Sequence, residues 1–92
     1  MTNQDVVTPG NETVAQLVLE NAVGPAPLRV TFDGSRSIAA DGRSIVSYRF
    51  DFGDGSAPVA GTQSVVSHVY TVPGTYAPTL TVTDDAGGSA AS

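Results

Sequence analysis

The chain has 92 residues, of which 40% are hydrophobic, and this suffices for one small domain with a modest core. Four Arg and no Lys stand against nine acidic residues, so the net charge is −5, which argues against the clustered positive charge of a nucleic-acid or anionic-membrane surface. The absence of Cys excludes disulfide frameworks, thiolate zinc sites and cysteine nucleophiles.

Residues 1–13 predict an extended polar arm, in which Val6 and Val7 form an apolar pair. No basic segment is followed by a long apolar run here, so the arm does not have the pattern of a secretory signal. The chain also has no apolar run of the length that a membrane-spanning helix needs. We therefore divide the sequence into an arm, residues 1–13, and a domain, residues 14–92.

The domain begins with two predicted strands. Residues 14–19 form a short apolar run, and the Gly-Pro-Ala-Pro segment at 24–27 then excludes a helix. Leu28, Val30 and Phe32 alternate with polar residues, which is the period of a strand with one buried face.

The clearest strand lies in the middle of the chain. Val46, Tyr48, Phe50 and Phe52 alternate with polar residues, so the pattern places three aromatic rings on one core face. A glycine-rich turn at 53–56 ends the strand, and residues 56–63 are predicted to be a loop.

Two further segments complete the pattern. Residues 65–70 predict a strand, and Pro73-Gly74 predicts a turn. Beyond it, Leu80 and Val82 face one way and alternate with threonines. No segment has a helical period, so five or six short strands predict an all-β, antiparallel β-sandwich.

The segment 48–56 reads Tyr-Arg-Phe-Asp-Phe-Gly-Asp-Gly-Ser and resembles the signature of the PKD domain, the immunoglobulin-like module named after the polycystic kidney disease protein. Blocks at 26–33, 68–76 and 79–84 resemble further parts of the family pattern in the same order, so the resemblance covers about residues 14–88. It implies an immunoglobulin-like sandwich of the PKD type. The motif residues are Tyr48, Phe50, Asp51, Phe52, Gly53, Asp54, Gly55, His68, Tyr70, Pro73, Gly74 and Tyr76.

The motif has a structural interpretation of its own. Gly53 and Gly55 allow positive φ in a tight turn, and Asp51 and Asp54 can accept backbone N–H bonds that hold it. We favour this structural role over an exposed acidic site.

The chain departs from the family pattern at three single positions. Phe50 replaces the usual Trp, which leaves a smaller core, and Ala39 replaces the first acid of a D-x-D-G segment. Pro78 stands where a strand residue is expected, and since proline cannot donate to the ladder it predicts a bulge or an edge position there.

The final strand of the family is predicted to be short or missing, because only four residues come after the turn at 84–88. A missing strand leaves an open sheet edge that invites pairing with another chain. We expect a partner to complete this edge, or the arm to do so through Val6 and Val7. The alternative is that residues 89–92 pair briefly.

Catalysis has little support in the sequence. His68 is the only His, so a Ser-His-Asp arrangement would have to centre on it. It lies in a predicted strand beside Tyr70, at a position that the family often fills with His, and we favour a structural role. The chain is therefore not expected to be an enzyme.

Calcium is the one cofactor that the resemblance leaves open, because some PKD-like domains bind it at one end of the sandwich. Calcium requires six to eight oxygen ligands. The candidates are Asp41, Asp84 and Asp85, with Asn21 as a further oxygen donor, and the loss of an acid at Ala39 weakens the case. The alternative is that these residues form turns and a soluble surface, with no cofactor.

Thr79, Thr81 and Thr83, together with Tyr76, provide a polar face that could bind proteins or glycans. The same threonines are also ordinary surface residues of a strand.

The sequence therefore predicts a non-catalytic interaction module. The resemblance implies a part of a larger secreted or cell-surface protein, where it would act in protein adhesion or carbohydrate binding, or as a spacer. The alternative is a stand-alone phage virion protein, a capsid decoration or a tail or fibre accessory, that attaches to a capsid or to symmetry mates through its arm and open edge. Neither hypothesis involves nucleic acid or membrane insertion.

Overall fold

The computed structural model describes residues 12–92, and this part of the chain folds into seven strands without a helix. Val6 and Val7 of the predicted arm lie outside the described residues. The strands are β1 (Val18–Glu20), β2 (Leu28–Asp33), β3 (Ile45–Asp51), β4 (Val59–Gly61), β5 (Val65–Tyr70), β6 (Thr79–Asp84) and β7 (Ser89–Ala91).

The strands form two sheets in which every pairing is antiparallel. One sheet has the order β1-β2-β5, and the other has the order β4-β3-β6-β7. This arrangement confirms the predicted all-β immunoglobulin-like sandwich.

The core lies between the sheets, and most of it is filled by residues of the alternating series that the sequence pattern marked. Phe32 of the first sheet meets Phe52, the residue that directly follows β3 of the second sheet, edge-on, with ring centroids 5.0 Å apart. Burial of such side chains is the main stabilising contribution in a domain of this size. The buried apolar residues are Val30, Phe32, Ala40, Phe50, Phe52, Tyr70, Leu80 and Val82.

The predicted alternation is wrong at the start of β3. A β-bulge between Ile45 and Ser47 shifts the register against β6, and it leaves Val46 44% exposed. Ile45 packs against the core in its place. An inserted residue reverses which side chains face inward, so the alternation continues correctly from Tyr48 onward only.

Other strands also differ from the sequence prediction. β1 begins later than predicted, and Val14 forms an isolated bridge to Ile38 instead. β4 lies within the predicted loop at 56–63. The bulge or edge position expected at Pro78 is wrong: β6 lies in the middle of its sheet and begins at Thr79, so the proline precedes the ladder.

The final strand is present and short. β7 pairs with β6 from Thr81 to Thr83, and the backbone N–H of Ser92 donates to the carbonyl of Leu80 at 2.9 Å. The expected open edge at β6 is therefore closed by the chain itself. The outer strands of the two sheets are β1 and β5, and β4 and β7.

Candidate functional site

Polar side chains collect at the two ends of β3. The turn at 53–56, called the motif turn, comes after the end of β3, whereas Asp84 pairs with Ile45 at its beginning. An apolar cleft lies at the same end of the sandwich as the motif turn.

Asp51 at the end of β3 and Asp54 in the motif turn each accept a hydrogen bond from the backbone N–H two residues further along the chain. Asp51 Oδ1 accepts the N–H of Gly53 at 3.1 Å, and Asp54 Oδ1 accepts the N–H of Ser56 at 3.0 Å. The Ser56 hydroxyl donates to the same Asp54 oxygen. Gly53 and Gly55 have φ values of 76° and 85°, where a side chain is strained. This geometry supports the structural interpretation of the motif.

The two glycines differ in what surrounds them. A Cβ at Gly53 would lie 2.9 Å from the carbonyl oxygen of Ala77, whereas a Cβ at Gly55 would meet nothing within 4 Å. We expect Gly53→Ala to lower the free energy of unfolding by about 2 to 4 kcal/mol and Gly55→Ala by about 1 to 2 kcal/mol. Urea unfolding of both variants measures the difference, and equal losses would contradict a role for the close approach to Ala77.

His68 ties the motif turn to β5. Its Nε2 lies 2.7 Å from Asp54 Oδ2, and its ring stacks in parallel on Phe52 with centroids 4.0 Å apart. The hydroxyl of Ser56, and then the bond to His68, hold the pKa of Asp54 well below its ordinary value. The imidazole is thus engaged in packing and in holding a turn, which is the structural role that the sequence favoured.

Two tyrosines extend this arrangement toward the cleft. The Tyr70 hydroxyl donates to the carbonyl of Phe52 at 2.8 Å, and the Tyr76 hydroxyl donates to the carbonyl of Val72. The two rings stack with centroids 4.6 Å apart. Burial, followed by the charge of Asp54, raises the pKa of Tyr70. Both hydroxyls are therefore used within the fold.

Asp84 is the centre of a cluster of polar side chains at the beginning of β3, and only 2% of its surface is exposed. Its Oδ1 accepts the N–H groups of Ala86 at 2.9 Å and Gly88 at 2.8 Å. Its Oδ2 accepts the Thr13 hydroxyl at 2.7 Å and Nη1 of Arg43 at 3.3 Å. The Thr13 hydroxyl and these other donors outweigh burial and lower the pKa of Asp84 to about 2.

The candidate calcium ligands do not come together as a site. Asp84 already accepts four protein donors, and Asp85 Oδ1 accepts the N–H of Ser44 at 3.3 Å. Asp41 is exposed, and Asn21 comes after β1 at the opposite end of the sandwich. Within residues 12–92, no three acidic or histidine side chains are grouped so that they could hold a metal. These residues do not fit a calcium ion, and we derive no function from one.

Thr13 and Arg43 are site residues that the sequence did not single out. Thr13 is the last residue of the predicted arm, yet its hydroxyl also accepts the N–H of Ala40 at 3.1 Å. One signal was available in the sequence, because Asp84 continues the inward-facing series of Leu80 and Val82 and a buried carboxylate requires donors.

The predicted threonine face lies on the outer side of the four-stranded sheet. Thr81 pairs with Arg49 and Thr79 with Asp51, so charges of both signs interrupt the face. Tyr76 does not join it, because its ring stacks on Tyr70. The threonines of this face are Thr79, Thr81 and Thr83.

The apolar cleft has a volume of about 660 Å³ and lies between the β1–β2 and β5–β6 loops. Val23 and Val72 project from these loops and are largely exposed, and the ring of Tyr76 forms part of the wall. Among the described residues that line it, none is charged. The cleft is defined by the side chains of Leu19, Val23, Pro25, Val72, Pro73 and Tyr76.

A family model described as "PKD domain" matches residues 11–92. The match includes all seven strands, the motif turn, Asp84 and its donors, and the cleft. The described residues contain no helix of the length and hydrophobicity that a membrane crossing requires.

Proposed function

Because the chain belongs to the PKD domain family, we propose that it is a non-catalytic module that attaches an exterior-surface protein to a protein partner. The apolar cleft is the observation that carries this proposal. The polar groups of the motif turn are engaged with one another, with the backbone and with His68, so we assign the turn a structural role and place binding at the cleft.

The chemistry of the cleft favours a protein segment over a glycan. A glycan needs several hydrogen-bonding side chains, but the hydroxyls of Tyr70 and Tyr76 already donate to backbone carbonyls. Among the described residues that line the cleft, Thr75 is the only other one with a side-chain hydroxyl. An apolar wall formed by aromatic, proline and valine side chains fits aliphatic side chains of a partner, because binding removes both surfaces from water.

The stacked tyrosines make the cleft suitable for binding without rearrangement. Tyr70 is fixed by its bond to Phe52, and Tyr76 is fixed by its bond to Val72 and by the ring of Tyr70. A wall that is ordered before binding loses little side-chain entropy when a partner arrives.

The test is to pan a displayed library of random linear peptides on the purified chain. We expect enrichment of peptides rich in aliphatic residues or proline. Val72, which is 63% exposed, contributes to the cleft without contributing to the core. Val72→Asp is therefore expected to weaken binding of the selected peptides at least about tenfold, because it places a charge in an apolar site.

Val46→Asp is the matched control, because Val46 is exposed on β3 outside the cleft. It is expected to bind the selected peptides as the original chain does. Retention of the chain on chitin or cellulose, without peptide enrichment, would overturn the proposal in favour of carbohydrate binding. An absence of binding to peptides and polysaccharides alike would overturn it in favour of a spacer.

A further inference from the structure

The outer edge of β5 provides a second surface, separate from the cleft. β5 pairs with β2 along six residues, and within residues 12–92 no strand pairs with its other side. The strand contains no proline, no Asp, Glu, Lys or Arg, and no bulge, and these are the features that usually protect an edge from pairing.

The pairing pattern shows which backbone groups face this edge. The N–H of Gly34 donates to the carbonyl of Ser64, so hydrogen-bonded pairs with β2 recur at every second residue from there. Val66, His68 and Tyr70 therefore point their backbone groups toward β2. The residues that point theirs outward are Val65, Ser67 and Val69.

These three residues are symmetric about Ser67. A two-fold axis through Ser67 would pair Val65 with the partner's Val69, and Ser67 with the partner's Ser67, through six backbone hydrogen bonds. Val65 and Val69 are 45% and 41% exposed, and the pairing would bring them into cross-strand contact.

The nearest charge to this edge is that of Arg29 on β2. Its Nη2 donates to Ser67 Oγ at 3.1 Å, which leaves the backbone groups of Ser67 available for pairing. Because Ser67 would lie on the two-fold axis, the Arg29 side chains of the two copies would come near one another, and salt would screen this like-charge repulsion.

We propose that β5 is a self-association edge, through which two copies of this chain join their three-stranded sheets into one sheet of six strands. This association goes beyond the adhesion function, because it uses a different surface and does not depend on the cleft. Pairing of one strand per copy buries less surface than a stable dimer needs, so we expect a dissociation constant of roughly 0.1 to 1 mM. Such weak contacts become effective where many copies are held close together.

Sedimentation equilibrium of the full chain over a series of concentrations tests the proposal. A monomer–dimer equilibrium is expected, and added salt is expected to strengthen it, because each copy carries a net charge of −5. A chain that stays monomeric into the millimolar range would overturn the proposal.

Paired charge variants test the register. A chain with Val65→Lys and Val69→Lys places like charges opposite one another, and so does a chain with Val65→Glu and Val69→Glu. We expect each double variant alone to associate at least about tenfold more weakly than the original chain, and an equimolar mixture to form the heterodimer. Association of either variant at the original strength, or no heterodimer in the mixture, would overturn the pairing of Val65 with the partner's Val69.

Discussion

Phe52→Ala is expected to lower the free energy of unfolding by about 3 to 5 kcal/mol. The side chain is buried, and its ring contacts Phe32 of the opposite sheet and His68 of β5. Its removal leaves a cavity at the junction of the two sheets and removes the surface on which His68 stacks. Since small domains are stable by only about 5 to 15 kcal/mol, the variant would lose a large part of its total stability.

Urea unfolding of Phe52→Ala, with Val59→Ala as the control, measures this effect. Val59 lies on the outer strand β4 with 44% of its surface exposed, so its truncation is expected to cost less than about 1 kcal/mol. Similar losses in the two variants would contradict the assignment of Phe52 to the centre of the core.

Asp84→Asn is expected to lower the melting temperature by about 10 °C. The substitution keeps the shape of the side chain but removes the charge, and it turns an amide donor toward groups that already donate. Thr13 and Arg43 on one side, and Ala86 and Gly88 on the other, cannot all remain satisfied. Asp41→Asn is the control, because Asp41 is exposed.

Asp84→Asn is also expected to change how the thermal stability depends on pH. The pKa of Asp84 falls from its ordinary value of 3.8 to about 2 on folding, so its ionised form stabilises the folded state above pH 3.8. This stabilisation is lost as the pH falls through about 2. Thermal unfolding between pH 5 and pH 2 should therefore show a shallower pH dependence in Asp84→Asn than in the original chain. An unchanged slope would contradict the role of the carboxylate as an ionised acceptor.

A shallower slope is expected rather than a flat one, because the pKa of Asp54 and of Asp33 is also lowered in the folded state. The hydroxyl of Ser56 is the main cause at Asp54, and the hydroxyl of Ser35 is the main cause at Asp33. Both carboxylates bond within their own turns, and they contribute with the same sign as Asp84.

The sequence could predict the features that depend on local alternation. The inward series in β2, β3 and β6 identified most of the core, and the glycines and acids of the motif predicted a turn held by carboxylates. The prediction from alternation failed at Val46. The bulge there depends on how β3 pairs with β6, and the pattern of apolar and polar residues does not reveal it. It also missed β4, whose residues Val59–Gly61 are all exposed and carry no pattern.

The candidate site was harder to predict because its contacts are distant in sequence. The bond from Thr13 to Asp84 joins residues 71 positions apart, and no spacing rule connects them. The cleft is formed by two loops that meet only after both sheets have packed. The resemblance to calcium-binding PKD-like domains made the acids at 41, 84 and 85 candidate ligands, and the structure instead surrounds Asp84 with donors.

The stacked tyrosine pair has a consequence for spectroscopy. The chain has three Tyr and no Trp, so its near-ultraviolet emission comes from tyrosine. Two of the three emitters, Tyr70 and Tyr76, line the cleft, and the third, Tyr48, packs elsewhere against the core. Occupation of the cleft therefore changes the surroundings of two emitters at once, and the unlabelled protein carries its own fluorescent reporter of binding.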